Sequence, residues 1–211
     1  MKVNHIINKI LVSFFSVLML KSFAQDKQDS TIFSEKYLEK NISYKEIERQ
    51  SPETLIERIK PSKKYEEIEF NIYSQGWYDN KQRNIKRLKN RNLDEYSVLS
   101  KSNIGMGSIC IPGSCRWYIS AKPKFGFVRT INTKEKLKKF VGLVDNEYDA
   151  WLILASLADF HPIYPYGKFS KVVDGYLILI PEYNGGGHSE DFSNDEMIYL
   201  VTTNGEIYKL K

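Results

Sequence analysis

Asp145 to Pro162 reads DNEYDAWLILASLADFHP, and the fold turns on how this stretch is interpreted. Ala150 to Ala158 is apolar at every position except Ser156. An apolar run of that kind between polar ends reads as a helix buried on more than one side. Asp145 is placed to serve as its N-cap. Glu147 and Asp149 put negative charge in the first turn, where the helix dipole favours it. His161-Pro162 supplies the stop, since a residue before proline avoids the helical region. The segment is predicted to be the central rod of the domain, with no chemistry of its own.

The sequence on either side gives the rod its neighbours. Just upstream, Leu137, Phe140, Val141 and Val144 fall on one face of an amphipathic helix. Asn132-Thr133-Lys134-Glu135 resembles a capping box with Asn132 as the cap. Before that, Arg116 to Ala121 and Phe125 to Ile131 read as two strands around Lys122-Pro123-Lys124. Leu93 to Ser100 is a further strand candidate. Tyr65 to Tyr73 carries the alternation Ile68, Phe70, Ile72 of a half-buried strand. Downstream, Val172-Val173 and Tyr176 to Ile180 flank Asp174-Gly175. Met197 to Thr202 and Glu206 to Leu210 flank Thr203-Asn204-Gly205. Both are hairpin signals, and together they predict an antiparallel meander of about four strands. Strands, then two helices, then hairpins argue for an α+β fold. Its expected form is two consecutive core helices packed on an antiparallel sheet ending in a C-terminal β-meander, with a mostly helical N-terminal extension.

The first residues bear on compartment. Lys2 and Lys9 precede an apolar run, Ile10 to Leu20, broken only by Ser13 and Ser16. Ser22-Phe23-Ala24 then offers small residues at a cleavage site. This is the layout of a secretory signal peptide, and the run is shorter than the roughly 20 residues a spanning helix needs. Cleavage after Ala24 leaves 187 residues, and loss of three lysines lowers the net charge from +5 to +2. The remaining charge is weak evidence for a nucleic-acid partner. No later apolar run reaches spanning length. The expected organisation is residues 1–24 as leader, 25–64 as the helical extension and 65–211 as one domain. Within the extension, Gln25 to about Ser30 reads as a polar tail. Phe33 to Tyr44 has helix-compatible spacing, and Ser51-Pro52-Glu53 starts a helix that Pro61 ends.

Cys110 and Cys115 are the only cysteines. Two cysteines in an exported chain are expected to pair, and Pro112-Gly113 makes a turn between them. Gly113-Ser114-Cys115-Arg116-Trp117 invites comparison with the C-G-S-C-W nucleophile segment of papain-like cysteine proteases. Pro112 stands where that pattern has its first cysteine, and Arg116 separates Cys115 from the tryptophan. The family's histidine follows about 130 or more residues later, whereas His161 and His188 follow after 46 and 73. The comparison fails and the disulfide reading stands.

Two stretches carry site candidates. Tyr183 to Asp191 is a glycine-rich loop between predicted strands, and His188 lies in it beside Glu190 and Asp191. An imidazole next to carboxylates suits a general base or a metal ligand. Three glycines and polar neighbours also suit a plain connector. Lys81, Arg83, Lys86, Arg87, Lys89 and Arg91 form a basic run without an acid. Such a run suits an anionic envelope polymer, or simply a solvated face balanced by Glu66, Glu67 and Glu69. His161 at the helix end reads as a dipole partner.

The sequence therefore describes an exported, soluble protein of the periplasm or extracellular space. It reads as a non-enzymatic binding module whose partner is a protein or envelope polymer and not intracellular nucleic acid. No cofactor or metal is called for, and the oligomeric state is left open. The alternative is an exported hydrolase or metal-dependent enzyme using the His188, Glu190, Asp191 loop.

Overall fold

A computed structural model describes residues 29–38, 40–48, 58–59, 61, 64–75, 83–87, 100, 102, 104–107, 114–157, 166–183 and 192–211. Among them are three helices and two antiparallel sheets, so the chain is broadly α+β. Helix α1 spans 29–37. The strands are β1 Lys45–Glu46, β2 Tyr65–Gln75, β3 Arg83–Arg87, β4 Ser114–Pro123 and β5 Arg129–Ile131. Helices α2 Lys134–Val141 and α3 Glu147–Leu154 follow. Strands β6 Lys168–Val172, β7 Gly175–Tyr183, β8 Phe192–Thr202 and β9 Ile207–Lys209 complete the order.

The central segment forms a helix, but a shorter one than its apolar run suggests. Its N-cap is Asn146 and not Asp145. The Asn146 side chain accepts from the Tyr148 and Asp149 backbone N–H groups, both at 2.9 Å. The Asp145 carbonyl is held instead by the Tyr176 hydroxyl at 2.7 Å. The helix ends at Leu154, well before the proline. Ser156 Oγ donates back to Ile153 O at 2.7 Å, and Trp117 Nε1 donates to Ala155 O at 3.1 Å. A side chain from β4 thus takes the carbonyl that the next helical turn would use. All seven residues from Tyr148 to Leu154 are buried, as a helix apolar nearly all round requires.

Helix α2 buries the expected face: Leu137, Phe140 and Val141, with Val144 just beyond. Its N-cap is Thr133, whose hydroxyl accepts from Lys136 N, and not Asn132. Asn132 is drawn away by Ser102, to which its amide donates at 3.0 Å, and by the Lys136 ammonium at 2.8 Å.

One apolar cluster joins Ile68, Phe70, Trp117 and Ile119 of one sheet, Trp151 and Ile153 of α3, and Ile178, Ile180 and Val201 of the other. The four-stranded sheet runs β3-β2-β4-β5 and the five-stranded sheet β1-β6-β7-β8-β9. The last four strands of the second sheet are the expected meander. Its first hairpin is displaced by one residue: Val172 pairs with Gly175, so Val173-Asp174 make the turn and Gly175 opens β7.

Between 29 and 64 the described residues include a strand as well as helix α1. The 29–30 segment, read as tail, is already helical. Lys45-Glu46 pair with β6, and Ile47 N donates to Gly167 O at 2.9 Å. Tyr37 is buried with Leu177, Leu200 and Leu210, while Phe33 meets Tyr208 with ring centroids 5.0 Å apart. This explains why Tyr176 to Ile180 is apolar at consecutive positions. Tyr176, Ile178 and Ile180 join the cluster with α3, and Leu177 on the other face joins the one with α1. Of the second expected helix, Ile59 is buried in the main cluster and the Arg58 guanidinium lies 5.6 Å from the Tyr148 ring. Its start at 51–53 lies outside the described residues, as do the leader and the 93–99 strand candidate.

Candidate functional site

Strand β2 differs from the half-buried strand its alternation predicts. Ile68 and Phe70 enter the core, yet Glu67, Glu69 and Asn71 on the opposite face are buried too. A bulge at Glu66 shifts the register between Tyr65 and Glu67. Across from this face, β4 supplies Tyr118, Ser120 and Lys122, and β5 supplies Thr130. The groups answer one another. Asn71 Nδ2 donates to Ser120 Oγ at 3.0 Å, and the Ser100 and Ser120 hydroxyls lie 2.7 Å apart. Thr130 Oγ1 donates to Ser100 Oγ at 2.9 Å, and the Tyr118 hydroxyl donates to Ser100 O at 3.0 Å. Lys122 Nζ reaches Glu67 Oε1 at 3.1 Å. Polar groups removed from water need such partners, and these bonds hold Ser100 over the sheet.

The same two strands carry an open feature. Between the Ala121–Arg129 pair the chain bends through Lys124, Phe125 and Gly126. The expected strand from Phe125 is only Arg129–Ile131. Phe125 is 82% and Phe127 94% exposed, among the most exposed large apolar side chains described. Gly126 has φ +101, and a Cβ built there meets no atom within 4 Å. The tip therefore projects clear of the body. Lys124 Nζ stands 5.5 Å from the Phe125 ring, within cation–π range. Lys124 and Arg129 are exposed, and the chain carries no acid between Glu95 and Glu135. The base is rigid. β4 is hydrogen-bonded to both β2 and β5, and Met106 bridges Trp117 beyond the end of β5 with N···O distances of 2.7 and 3.0 Å.

The sequence held a signal for this loop. Strand alternation puts Phe125, Phe127, Arg129 and Ile131 on one face, and an arginine among core positions is inconsistent. Pro123 and Gly126 mark the breaks.

The other candidates are placed unevenly. His188, Glu190 and Asp191 lie outside the described residues, as does His161. Arg83, Lys86 and Arg87 belong to β3, the outermost strand of its sheet among the described residues, which pairs Ile68 with Arg87, Glu69 with Lys86 and Ile72 with Arg83. Lys81, Lys89 and Arg91 are outside the described residues. Glu67, considered a counter-charge to that run, is engaged by Lys122. Cys115 occupies β4 opposite Ser74. Cys110 is outside the described residues, and the disulfide with it. Among the described residues no three His, Cys, Asp or Glu side chains converge as a metal site. None of the helices described is long and apolar enough to cross a membrane.

Comparison with protein-family models, with curated proteins and with solved structures finds no match for this chain.

Proposed function

We propose that the chain is an exported, non-enzymatic binding module of the cell envelope or extracellular space, and that the loop 122–129 makes its contact. The observation that carries this reading is the pair Phe125 and Phe127, held in solvent on a hydrogen-bonded base. Covering a phenylalanine is worth about 1.5–3 kcal/mol, so two held open at one tip favour a partner that covers them. In this reading α2 and α3 pack between the sheets as a wedge and keep the base of the loop stiff. The leader-like residues 1–24 support the compartment.

Protein recovered after export tests both parts. Its mass should begin the chain at Gln25. It should sediment with washed envelope fragments, and the double variant F125S/F127S should remain in the supernatant with an unchanged thermal midpoint. Equal sedimentation of the two proteins, or of neither, overturns the assignment of the loop.

A further inference from the structure

The geometry points to an anionic lipid surface as the partner of the 122–129 loop, with Phe125 and Phe127 entering the acyl boundary and Lys124 and Arg129 meeting the headgroups. This rests on the binding-module reading and narrows it to one class of partner.

The shape of the loop argues for a soft surface. A protein partner covers aromatic anchors in a fitted pocket ringed by further contacts. Here the aromatics are open to solvent, and a Cβ on Gly126 between them would meet no atom within 4 Å apart from its chain neighbours. A bilayer boundary accepts such a tip without a matching cavity. The composition argues for the same partner. Phenylalanine has no polar atom to satisfy, so it enters hydrocarbon without leaving an unmet donor. The two flanking cations are exposed and are long enough to stay at headgroup level while the rings go deeper. Each such cation near an anionic surface contributes roughly a fivefold gain in partitioning. Lys122 does not add to this set, because Glu67 holds it. The absence of acids from Tyr96 to Lys134 keeps opposing charge out of the local sequence.

The test is read at the loop itself, because the apolar run 10–20 of the full chain can enter bilayers independently. Phe127→Trp places an indole at the tip, and the wild-type chain gives the background from the native tryptophans. The probes are vesicles of phosphatidylcholine, with or without one third phosphatidylglycerol, some carrying brominated acyl chains. With phosphatidylglycerol present, the added emission should shift to the blue and be quenched by the brominated chains. Partitioning should fall at least tenfold when Lys124→Gln and Arg129→Gln are added, and should be salt-sensitive. An added indole that stays open to soluble iodide with the phosphatidylglycerol vesicles overturns the proposal. So does equal quenching in neutral and anionic vesicles. A blue shift that follows protein concentration without lipid overturns it in favour of a second copy of this chain. If the vesicles are ignored while F125S/F127S still abolishes envelope sedimentation, the lipid assignment alone fails.

Discussion

Trp117 on β4 donates its indole N–H to the carbonyl of Ala155, 3.1 Å away, at the end of α3. Both residues are fully buried. The bond ties the four-stranded sheet to the central helix, and it is the point at which the helix stops. Trp117→Phe leaves that carbonyl without its donor and opens a void beside Phe70, whose ring lies 6.2 Å from the indole. The expected loss is about 2–4 kcal/mol in chemical denaturation. A loss below about 1 kcal/mol would show that the helix end does not depend on this bond.

Ser120→Ala tests the buried polar face. It removes the shorter of two acceptors of the Asn71 amide, which also donates to Glu69 O at 3.4 Å, and a hydroxyl contact of Ser100. A buried donor left without its acceptor costs about 1–3 kcal/mol. Asn71→Leu with Ser120→Ala should recover part of that loss, because it removes both partners of the 3.0 Å bond together. A double-mutant cycle in urea measures the coupling.

The clamp between α1 and the β6–β7 turn should be acid-sensitive. Asp174 accepts from Lys36 Nζ at 2.6 Å and from the Tyr37 hydroxyl at 2.5 Å. The Lys36 bond, then the Tyr37 bond, hold its carboxyl below the usual carboxylate range. The folded state therefore binds this proton less readily than the unfolded state. The stabilisation is complete above the unfolded value near 4, and is lost as pH falls through the lower folded value. Hydrogen exchange in α1 should accelerate in that acid window, and Asp174→Asn should abolish the change. Tyr37→Phe, which removes one bond and keeps the ring, should cost about 1 kcal/mol at neutral pH.

Gly175 and Gly126 should respond very differently to alanine. Both have positive φ, +151 and +101. A Cβ at Gly175 would lie 2.1 Å from Val201 O, in the backbone of the neighbouring strand. Gly175→Ala should therefore pry β7 from β8 and cost more than about 3 kcal/mol, the upper range for backbone strain alone. At Gly126 only the backbone preference opposes the substitution, for about 1–2 kcal/mol. Equal melting temperatures for the two variants would contradict the geometry.

Much of the fold was legible because it follows from local periodicity. The α2 stripe at Leu137, Phe140, Val141 and Val144, the burial of α3 on all sides and the C-terminal meander each follow from the spacing of apolar residues along one element. The places where the reading failed share a different cause. Asn146 caps α3 because Tyr176, 30 residues away in β7, takes the Asp145 carbonyl. The helix ends early as Ser156 N and Leu157 N turn to Ile153 O and Leu154 O, three residues back, and Trp117 holds the Ala155 carbonyl just beyond. Neither Tyr176 nor Trp117 is local.

The candidate site divides in the same way. By itself the sequence determined a leader-like N-terminus as an expectation, an α+β order of elements and the strand-breaking residues Pro123 and Gly126. Only the tertiary structure decided which alternation meets solvent. Glu67, Glu69 and Asn71 look like a wet face and are buried, whereas Phe125 and Phe127 look like a core face and are bare. A period of two places residues on opposite sides of a strand, but it cannot say which side another segment will cover. That depends on distant contacts such as Ser100 over Ser120, and on where the hydrogen-bonded ladder of β4 and β5 gives out.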